Sequence, residues 1–303
     1  MCCNVNYKED FCRTGTNIGG QMKIGIVLAG GMNKGFYEIG CLNAIFDFFG
    51  RENIECISAS SIGTITAYSA VTGQNEYFIN MLKDIDIRDS GRFFPSFSGN
   101  SELMQKIRSA VTDDNTTIPQ LYITIWNYTQ KKVEYVPIHT LTKKEIQNYL
   151  CASVAIPIFN KGVKINGSTI FDGAFIDNIP VFPLLEKEFD YIFCIYFDLR
   201  NYFFENEKFD RKIIKLYDFP SKRKLDNFVF DPNHVDVMVE YGYNYTNRII
   251  RSLFSSADKD IIDHNIEGMN EQNNIRKSKR FTSDIILTNL NKVTSRLAKR
   301  NIL

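Results

Sequence analysis

A serine on a sharp turn, a glycine-rich turn and an aspartate before a glycine are the residues of this sequence that could do chemistry together. Ser61 follows a short apolar run and precedes a helical pattern, so it is expected at a strand-to-helix turn that exposes its hydroxyl. Gly30 and Gly31 follow an aliphatic run in the same way, and Asp172 stands far downstream, directly before Gly173. This combination is typical of ester hydrolysis, which needs a nucleophile, a base and donors for a developing oxyanion.

The glycine-rich turn supplies the candidate oxyanion donors. The backbone amides of Gly30, Gly31 and Met32 precede a helix, and glycine permits the dihedral angles that point several N–H groups at one anion. Methionine keeps its amide hydrogen but adopts positive φ less readily, so Met32 is predicted to lower turnover or to change substrate choice. Lys34 and Gly35 complete the turn. Two interpretations of Lys34 stay open: a contact for a carbonyl or an anionic head group, and a solvated lysine.

Taken in order, these elements resemble the patatin-like phospholipases, whose pattern is G-G-G-x-[KR]-G, then G-x-S-x-G, then D-G-[GA]. Two further stretches, residues 151–157 and 177–181, fit the same family, and the resemblance spans residues 23–255. Two positions depart from the family pattern. Met32 replaces the third glycine of the turn, and Ala59 replaces the first glycine of the serine motif.

The resemblance implies a fold, a site and a substrate class. The implied fold is α/β, a three-layer α/β/α sandwich around a central, mostly parallel sheet. In the implied site Ser61 forms an acyl-enzyme and Asp172 passes protons without a histidine, while Gly63 and Gly173 support the two turns. Because a free aspartate has a pKa of about 3.9, this dyad requires close contact and partial burial. The implied substrates are fatty acyl esters of phospholipids or related lipids, and no cofactor or metal is implied.

Two alternatives stay open at this point. The departures at Met32 and Ala59 favour a catalytically weak or inactive scaffold that binds lipid. The chain order Ser61, Asp172, His234 also fits an α/β-hydrolase esterase in which the histidine is the base. Nucleotide binding is disfavoured, because the turn reads G-G-x-x-x-G and lacks the spacing of G-x-G-x-x-G.

Composition and charge exclude some classes of protein. A chain of 303 residues with 44% hydrophobic residues can bury one large core. The net charge of +1 gives no reason to expect nucleic acid as a partner. No apolar run approaches the ~20 residues of a spanning helix, so a cytoplasmic protein is expected. Four of the seven cysteines lie in apolar patterns and are predicted to be buried thiols: Cys41, Cys56, Cys151 and Cys194.

The pattern predicts one catalytic domain with extensions. Residues 1–22 are predicted to be a loose extension, residues 23–255 the catalytic domain with a surface insertion at 199–233, and residues 256–303 a basic, partly helical tail. Basic residues in the insertion and the tail are predicted to favour peripheral contact with an anionic membrane. The aromatic segments 93–97 and 202–204 fit either internal packing or contact with lipid.

Hydrophobic periodicity predicts the elements that position the site. The predicted strands are residues 23–29, 54–58, 120–127, 132–137, 164–170 and 191–197. The predicted helices are one after Gly35 and residues 62–71, 74–83, 142–152 and 235–254. Thr142 and Glu145 are predicted to form a capping box at the start of one helix.

Overall fold

The computed structural model of this protein describes ten segments of the chain. They are residues 22–31, 34–83, 102–112, 119–157, 160–185, 187–197, 201–203, 211–217, 234–272 and 277–279. Several predictions fall elsewhere and are not tested by these segments: the first 21 residues, Met32, the aromatic segment 93–97 and the helix predicted near the end of the chain.

Strands and helices alternate along the chain. The strands are β1 Ile24–Leu28, β2 Ile54–Ser60, β3 Gln120–Asn127, β4 Lys132–Pro137, β5 Val163–Ile165, β6 Ser168–Asp172, β7 Tyr191–Ile195, β8 Asn201–Phe203, β9 Ile213–Leu216 and β10 Lys277–Lys279. The helices are α1 Gly35–Phe49, α2 Ile62–Val71, α3 Asn75–Lys83, α4 Glu102–Ser109, α5 Lys143–Ser153, α6 Phe182–Leu185, α7 Val235–Leu253 and α8 Lys259–Gln272. The capping box of Thr142 and Glu145 at the start of α5 is confirmed.

Eight of the described strands form one mostly parallel sheet in the order β5-β6-β3-β2-β1-β7-β9, with β4 also on β3. β1 pairs in parallel with β2 and β7, and β2 pairs in parallel with β3. β4 and β6 run antiparallel to β3. In the register of β3, residues 120–124 pair with β2, residues 125–127 with β6, and residues 122–127 with β4. Since a residue pairs with one strand on each side, β2 and β6 must share one edge of β3, end to end.

The sheet is covered on both faces, as its aliphatic central strands require. Ile24, Ile26 and Leu28 of β1 belong to a large core cluster with residues of α1, α2, α5, α7 and α8. Val27, on the opposite face, belongs to a second cluster that includes Leu184 of α6. The predicted three-layer α/β/α architecture around a mostly parallel sheet is therefore confirmed. None of the helices in the described part of the chain combines the length and the apolar character needed to cross a bilayer.

Three predictions from the sequence differ from the structure. The single strand predicted at residues 164–170 is wrong, because a turn at Asn166 and Gly167, both at positive φ, divides this region into β5 and β6. Within the predicted surface insertion, β9 is a buried strand of the main sheet. Within the predicted tail, α8 buries Ile262 and Ile266 in the large core cluster. The four cysteines predicted to be buried thiols are free and buried.

Helices α1 and α7 are in backbone contact at two glycines. A Cβ atom on Gly40 would lie 2.0 Å from the Val239 carbonyl oxygen, and one on Gly242 would lie 2.2 Å from the Tyr37 carbonyl oxygen. These distances are far below van der Waals contact, so the helices can approach this closely only because both positions lack a side chain. The contact fixes α1, which begins at the glycine-rich turn.

Gly242→Ala is expected to lower the free energy of unfolding by about 1–3 kcal/mol, because the methyl group meets backbone that cannot move aside. Urea unfolding measured by circular dichroism tests this value. The matched control is Gly268→Ala in α8, where an added Cβ meets nothing within 4 Å. There alanine should stabilise the helix by up to ~1 kcal/mol. Equal effects of the two substitutions would contradict the packing argument.

Candidate active site

Ser61 occupies a strained turn between β2 and α2. Its dihedral angles are φ 53° and ψ −132°, a conformation that residues with a side chain rarely adopt. Such strain costs on the order of 1–3 kcal/mol and persists only where the surrounding structure imposes it. The side chain of Ser61 makes no cap to its own helix. The turn therefore holds a half-buried hydroxyl at the carboxyl end of β2 and next to the first turn of a helix.

Small residues allow the elbow to form. A Cβ on Gly63 would lie 3.0 Å from the Ala29 carbonyl oxygen, and one on Gly30 would lie 2.6 Å from the Ser61 Cβ. The glycine-rich turn therefore lies directly against the serine elbow. Ala59, which departs from the family pattern, is completely buried in the large core cluster, so its methyl group is accommodated.

Asp172 reaches the elbow because β6 continues the edge of β3 on which β2 ends. Ser60 pairs with Thr124, and Asp172 pairs with Ile125, the next residue along β3. This register explains how two residues far apart in sequence become neighbours. The end of β6 is held close to β3, since a Cβ on Gly173 would lie 2.6 Å from the Thr124 backbone.

The Asp172 carboxyl is buried and lies beside two groups that favour its charged form. The Ala174 amide donates to Oδ1 at 2.8 Å, and the nearby Ser61 hydroxyl lowers the pKa of the carboxyl. Burial raises the pKa of Asp172 to about 7, against the lowering effect of the Ser61 hydroxyl and the Ala174 amide. A carboxyl with this pKa can accept a proton near neutral pH and return it, which an ordinary aspartate does poorly.

This pKa leads to a prediction for the pH profile. The basic form of Asp172 is the deprotonated one, so kcat/KM should be constant above the pKa of about 7 and fall about tenfold for each pH unit below it. Hydrolysis of a soluble short-chain nitrophenyl ester between about pH 5 and about pH 9 measures the profile. Circular dichroism at each pH shows whether the protein remains folded. A constant rate down to about pH 5 in folded protein would contradict Asp172 as the base.

Asn178 fixes the glycine-rich turn, a role that the sequence analysis did not identify. Its Oδ1 accepts from the Gly30 amide at 2.8 Å, and its Nδ2 donates to the Gly30 carbonyl at 3.2 Å. The neighbouring Asp177 accepts from the Tyr135 hydroxyl at 2.6 Å, and its carbonyl accepts from the Ser60 hydroxyl. The one sequence signal for this role of Asn178 was its position shortly after Asp172. Its pairing with Gly30, 148 residues away in the sequence, becomes visible only in the fold.

The outcome differs for each of the three predicted oxyanion donors. The Gly30 amide is engaged with Asn178, so the expectation that it is available to an oxyanion is not met in this conformation. For the Gly31 amide, the described residues supply no acceptor. Its carbonyl accepts from the Lys34 amide at 3.2 Å, which closes the turn. Met32 lies outside the described residues.

Lys34 is buried, which contradicts its interpretation as a solvated lysine. Its Nζ lies 4.7 Å from the centroid of the Phe197 ring. Burial raises the pKa of Glu38 well above its ordinary value, and the charge of Lys34 lowers that pKa by less. Gly35 lets α1 approach α2, since a Cβ there would lie 2.9 Å from the Thr66 hydroxyl oxygen. Lys34 and Gly35 therefore hold the turn against the body of the protein.

His234 does not stand between the serine and the aspartate. It is exposed and precedes the first residue of α7. A histidine-based triad places the imidazole between hydroxyl and carboxylate. Here the Ser61 hydroxyl lies near enough to Asp172 to lower the pKa of its carboxyl, and His234 is not among the groups that shift this pKa. The arrangement thus offers a candidate nucleophile, a nearby candidate base of raised pKa and a candidate amide donor, a combination suited to acyl transfer.

The chain is similar to several known proteins. The chain is 27% identical over 195 residues to Lysophospholipase NTE1 of Cryptococcus neoformans var. neoformans serotype D. The match covers 60% of this chain but only 11% of that protein, so the chain spans a small part of the curated relative's length. Among solved structures, VipD from Legionella pneumophila is 13% identical, with a TM-score of 0.45 and coverage of 80% of this chain and 71% of VipD.

A second solved structure is full-length ExoU in complex with full-length SpcU, from the type III secretion system of Pseudomonas aeruginosa. It is 15% identical, with a TM-score of 0.33 and coverage of 84% of this chain and 59% of that chain. The family model described as patatin-like phospholipase matches residues 26–185, just over half of the 303 residues. The chain therefore belongs to the patatin-like phospholipase family.

Proposed function

We propose that this protein is a serine lipid acyl hydrolase that cleaves fatty acyl esters through a Ser61–Asp172 dyad and an acyl-enzyme. The observation that carries the proposal is a strained serine elbow whose hydroxyl lies near a buried carboxyl, Asp172, with a pKa raised to about 7. Membership of the patatin-like phospholipase family supports a lipid as substrate.

In the proposed acylation step Asp172 accepts the hydroxyl proton as Ser61 Oγ bonds to the ester carbonyl carbon. The carbonyl oxygen becomes an oxyanion, which the Gly31 amide, and in our proposal also the Met32 amide, would stabilise. Collapse of this intermediate re-forms the carbonyl and breaks the bond to the leaving alcohol. The leaving alkoxide oxygen takes the proton from Asp172 and departs as the alcohol, while the acyl group stays on Ser61.

Deacylation repeats these steps with water. Asp172 accepts a proton from water, the hydroxide oxygen bonds to the acyl carbon, and the bond to Ser61 Oγ breaks. The proton returns to Oγ and the fatty acid leaves. The deprotonated Asp172 is needed in both half-reactions, so one protonation should control both.

The substrate class proposed is a phospholipid or lysophospholipid. The curated relative from Cryptococcus neoformans carries the name lysophospholipase. This chain matches only a small part of that protein's length. The head group and the position of the cleaved ester bond are therefore to be identified by experiment.

A catalytically weak lipid-binding scaffold is the second candidate. The observation that favours it is the Gly30 amide, which is already donated to Asn178 and so leaves fewer donors for the oxyanion. Oxyanion donors are worth about 3–4 kcal/mol each, so loss of one would reduce turnover by 10²–10³-fold. Turnover on phospholipid by the parent protein separates the two candidates.

The test is release of fatty acid from vesicles of mixed phospholipids and lysophospholipids by the parent, Ser61→Ala and Asp172→Asn proteins, with products identified by mass spectrometry. The proposal expects free fatty acid from the parent alone. Binding of all three proteins without release by any of them would support the scaffold instead.

A further inference from the structure

A cluster of four aromatic side chains, two of them exposed, lies beside the proposed site. Trp126 stacks on Phe175 at a centroid distance of 5.4 Å and contacts Phe171 and Tyr128 edge-on or tilted. Tyr128 is 54% exposed and Phe175 is 57% exposed. Aromatic rings normally bury most of their area in a core, so two half-exposed rings in one cluster need an explanation.

The cluster lies at the tips of two hairpins that are joined to each other. The Tyr128 amide donates to the Thr169 carbonyl at 3.0 Å, and the Thr169 amide donates to the Thr129 hydroxyl at 2.9 Å. The turn of β3 and β4 and the hairpin of β5 and β6 therefore form one surface. We call it the hairpin patch: residues 126–135, 160–172 and 175–176.

The hairpin patch is positively charged. It carries four lysines, Lys131, Lys132, Lys161 and Lys164. Of its two acids, Asp172 is buried, and Glu134 pairs with Lys132 at 2.9 Å. Three lysine charges are thus left unbalanced within the patch, around the aromatic rings. Aromatic rings flanked by lysines match the interface of a bilayer, where Trp and Tyr favour the head-group level and lysine favours anionic lipid.

A cavity opens between the rings and the lysines. It has a volume of about 220 Å³ and is lined by Trp126, Tyr128, Lys131, Lys132, Val133 and Ile176. Its lining combines apolar rings with the lysine side chains, whose aliphatic stems can cover apolar surface while the charge stays at the interface.

The patch and the proposed site share one edge of the sheet. Asp172 pairs with Ile125, and its neighbour Phe171 pairs with Trp126, so the two pairs are adjacent in register and place their side chains on opposite faces of the sheet. Phe175 lies three residues after Asp172. β2 ends at Ser60, which pairs with Thr124, and β3 continues past it to Trp126. The hairpin patch therefore stands at the end of the sheet that carries Ser61, where a lipid has to arrive.

We propose that the hairpin patch docks this protein on the surface of an anionic phospholipid bilayer, with Trp126 and Phe175 at the head-group level and the lysines on lipid phosphates. The proposal rests on the proposed function, because a lipid hydrolase needs its site at the interface. It differs from the sequence-based prediction, which placed membrane contact on basic residues in and after the insertion. Of those, Lys215 is buried in β9, and Lys212 donates to the Phe189 carbonyl.

The experiment uses the intrinsic fluorescence of Trp126, which is the single tryptophan of the chain. The protein is the full chain with Ser61→Ala, so that lipid is not consumed and docking is read separately from catalysis. It is mixed with vesicles of phosphatidylcholine and phosphatidylserine, with and without brominated acyl chains, and with vesicles of phosphatidylcholine alone. We expect a blue shift and bromine quenching on the anionic vesicles, with weaker binding to the neutral ones.

Two variants in the same background test the patch itself. The double variant Lys131→Gln/Lys161→Gln should bind anionic vesicles about 30-fold more weakly, since each lysine near the membrane surface contributes roughly fivefold to the affinity. The matched control is Lys23→Gln with Lys144→Gln, two exposed lysines outside the patch, which should bind as the parent does. Phe175→Ser should weaken binding about tenfold. The matched control is Tyr77→Ser, which replaces a residue of α3 that is 43% exposed and should not weaken binding.

Binding of vesicles without quenching of Trp126 would overturn the proposal, because another surface would then hold the membrane. So would equal losses in patch and control variants, or no binding to anionic vesicles. A separate assay tests the proposed function: protein with Ser61 intact should hydrolyse a soluble ester. If it does not, the proposed function fails, whatever the result for membrane docking. The lysine patch variant with Ser61 intact should keep that hydrolysis.

Discussion

Ser61→Ala is expected to lower kcat for hydrolysis of acyl esters by about 10⁴-fold or more, because it removes the atom that carries the acyl group. The fold should persist, since alanine has the same Cβ as serine and the elbow is imposed by its surroundings. Steady-state kinetics on a soluble nitrophenyl ester and on phospholipid vesicles give the effect. Circular dichroism and thermal unfolding establish that the variant is folded.

Ser60→Ala is the matched control for the neighbouring hydroxyl. The Ser60 side chain is buried and donates to the Asp177 carbonyl at 3.2 Å, so its loss removes a structural hydrogen bond but no nucleophile. We expect kcat to fall less than about tenfold, in line with a net hydrogen-bond value of about 1 kcal/mol. A folded Ser61→Ala protein that retains most of the parent's activity would refute Ser61 as the nucleophile.

Asp172→Asn is expected to lower kcat/KM by about 10²–10⁴-fold at neutral pH, the usual contribution of a positioned general base. Asparagine keeps an oxygen that can accept from the Ala174 amide, so the geometry of the turn should survive, but it cannot take the proton from Ser61. The residual rate should no longer fall below pH ~7, because the titrating group is gone. Burial raises the pKa of Asp172, so the charged form is disfavoured in the fold. The variant should therefore be at least as stable as the parent above neutral pH.

Asp177→Asn separates the effect of Asp172 from that of a second buried carboxyl nearby. Asp177 accepts from the Tyr135 hydroxyl at 2.6 Å, and the proposed mechanism gives it no part in the proton transfer. Its variant should keep the fall in kcat/KM below neutral pH. An Asp172→Asn protein that keeps the same fall would show that another group titrates.

The first half of the fold could be predicted because its signals are local. The aliphatic run of β1, the small residues of β2 and the helical spacing after Gly35 depend only on neighbouring residues. The two strands predicted at residues 120–127 and 132–137 have the predicted bounds, because a turn separates two segments of alternating pattern. The serine elbow was predicted for the same reason, since its motif is continuous in sequence.

One missed feature has a local signal: Asn166-Gly167 stands between two short alternating segments, a pattern that favours a two-residue hairpin and not one long strand. The other missed features depend on contacts between distant residues. β9 reads as part of a polar, aromatic insertion and becomes a core strand only through its pairing with β7. The clamp of Asn178 on Gly30 spans 148 residues, and only the fold brings these groups together.

Covalent labelling with a fluorophosphonate ester, followed by peptide mass spectrometry, tests the dyad most directly. It reports the activated hydroxyl itself and needs no knowledge of the natural lipid. We expect one adduct, on Ser61, with a labelling rate that rises with pH through about 7, the pKa of Asp172. Asp172→Asn should label far more slowly, and His234→Ala should label like the parent. Labelling at another residue, or labelling of Ser61 that depends on His234 and not on Asp172, would contradict the mechanism.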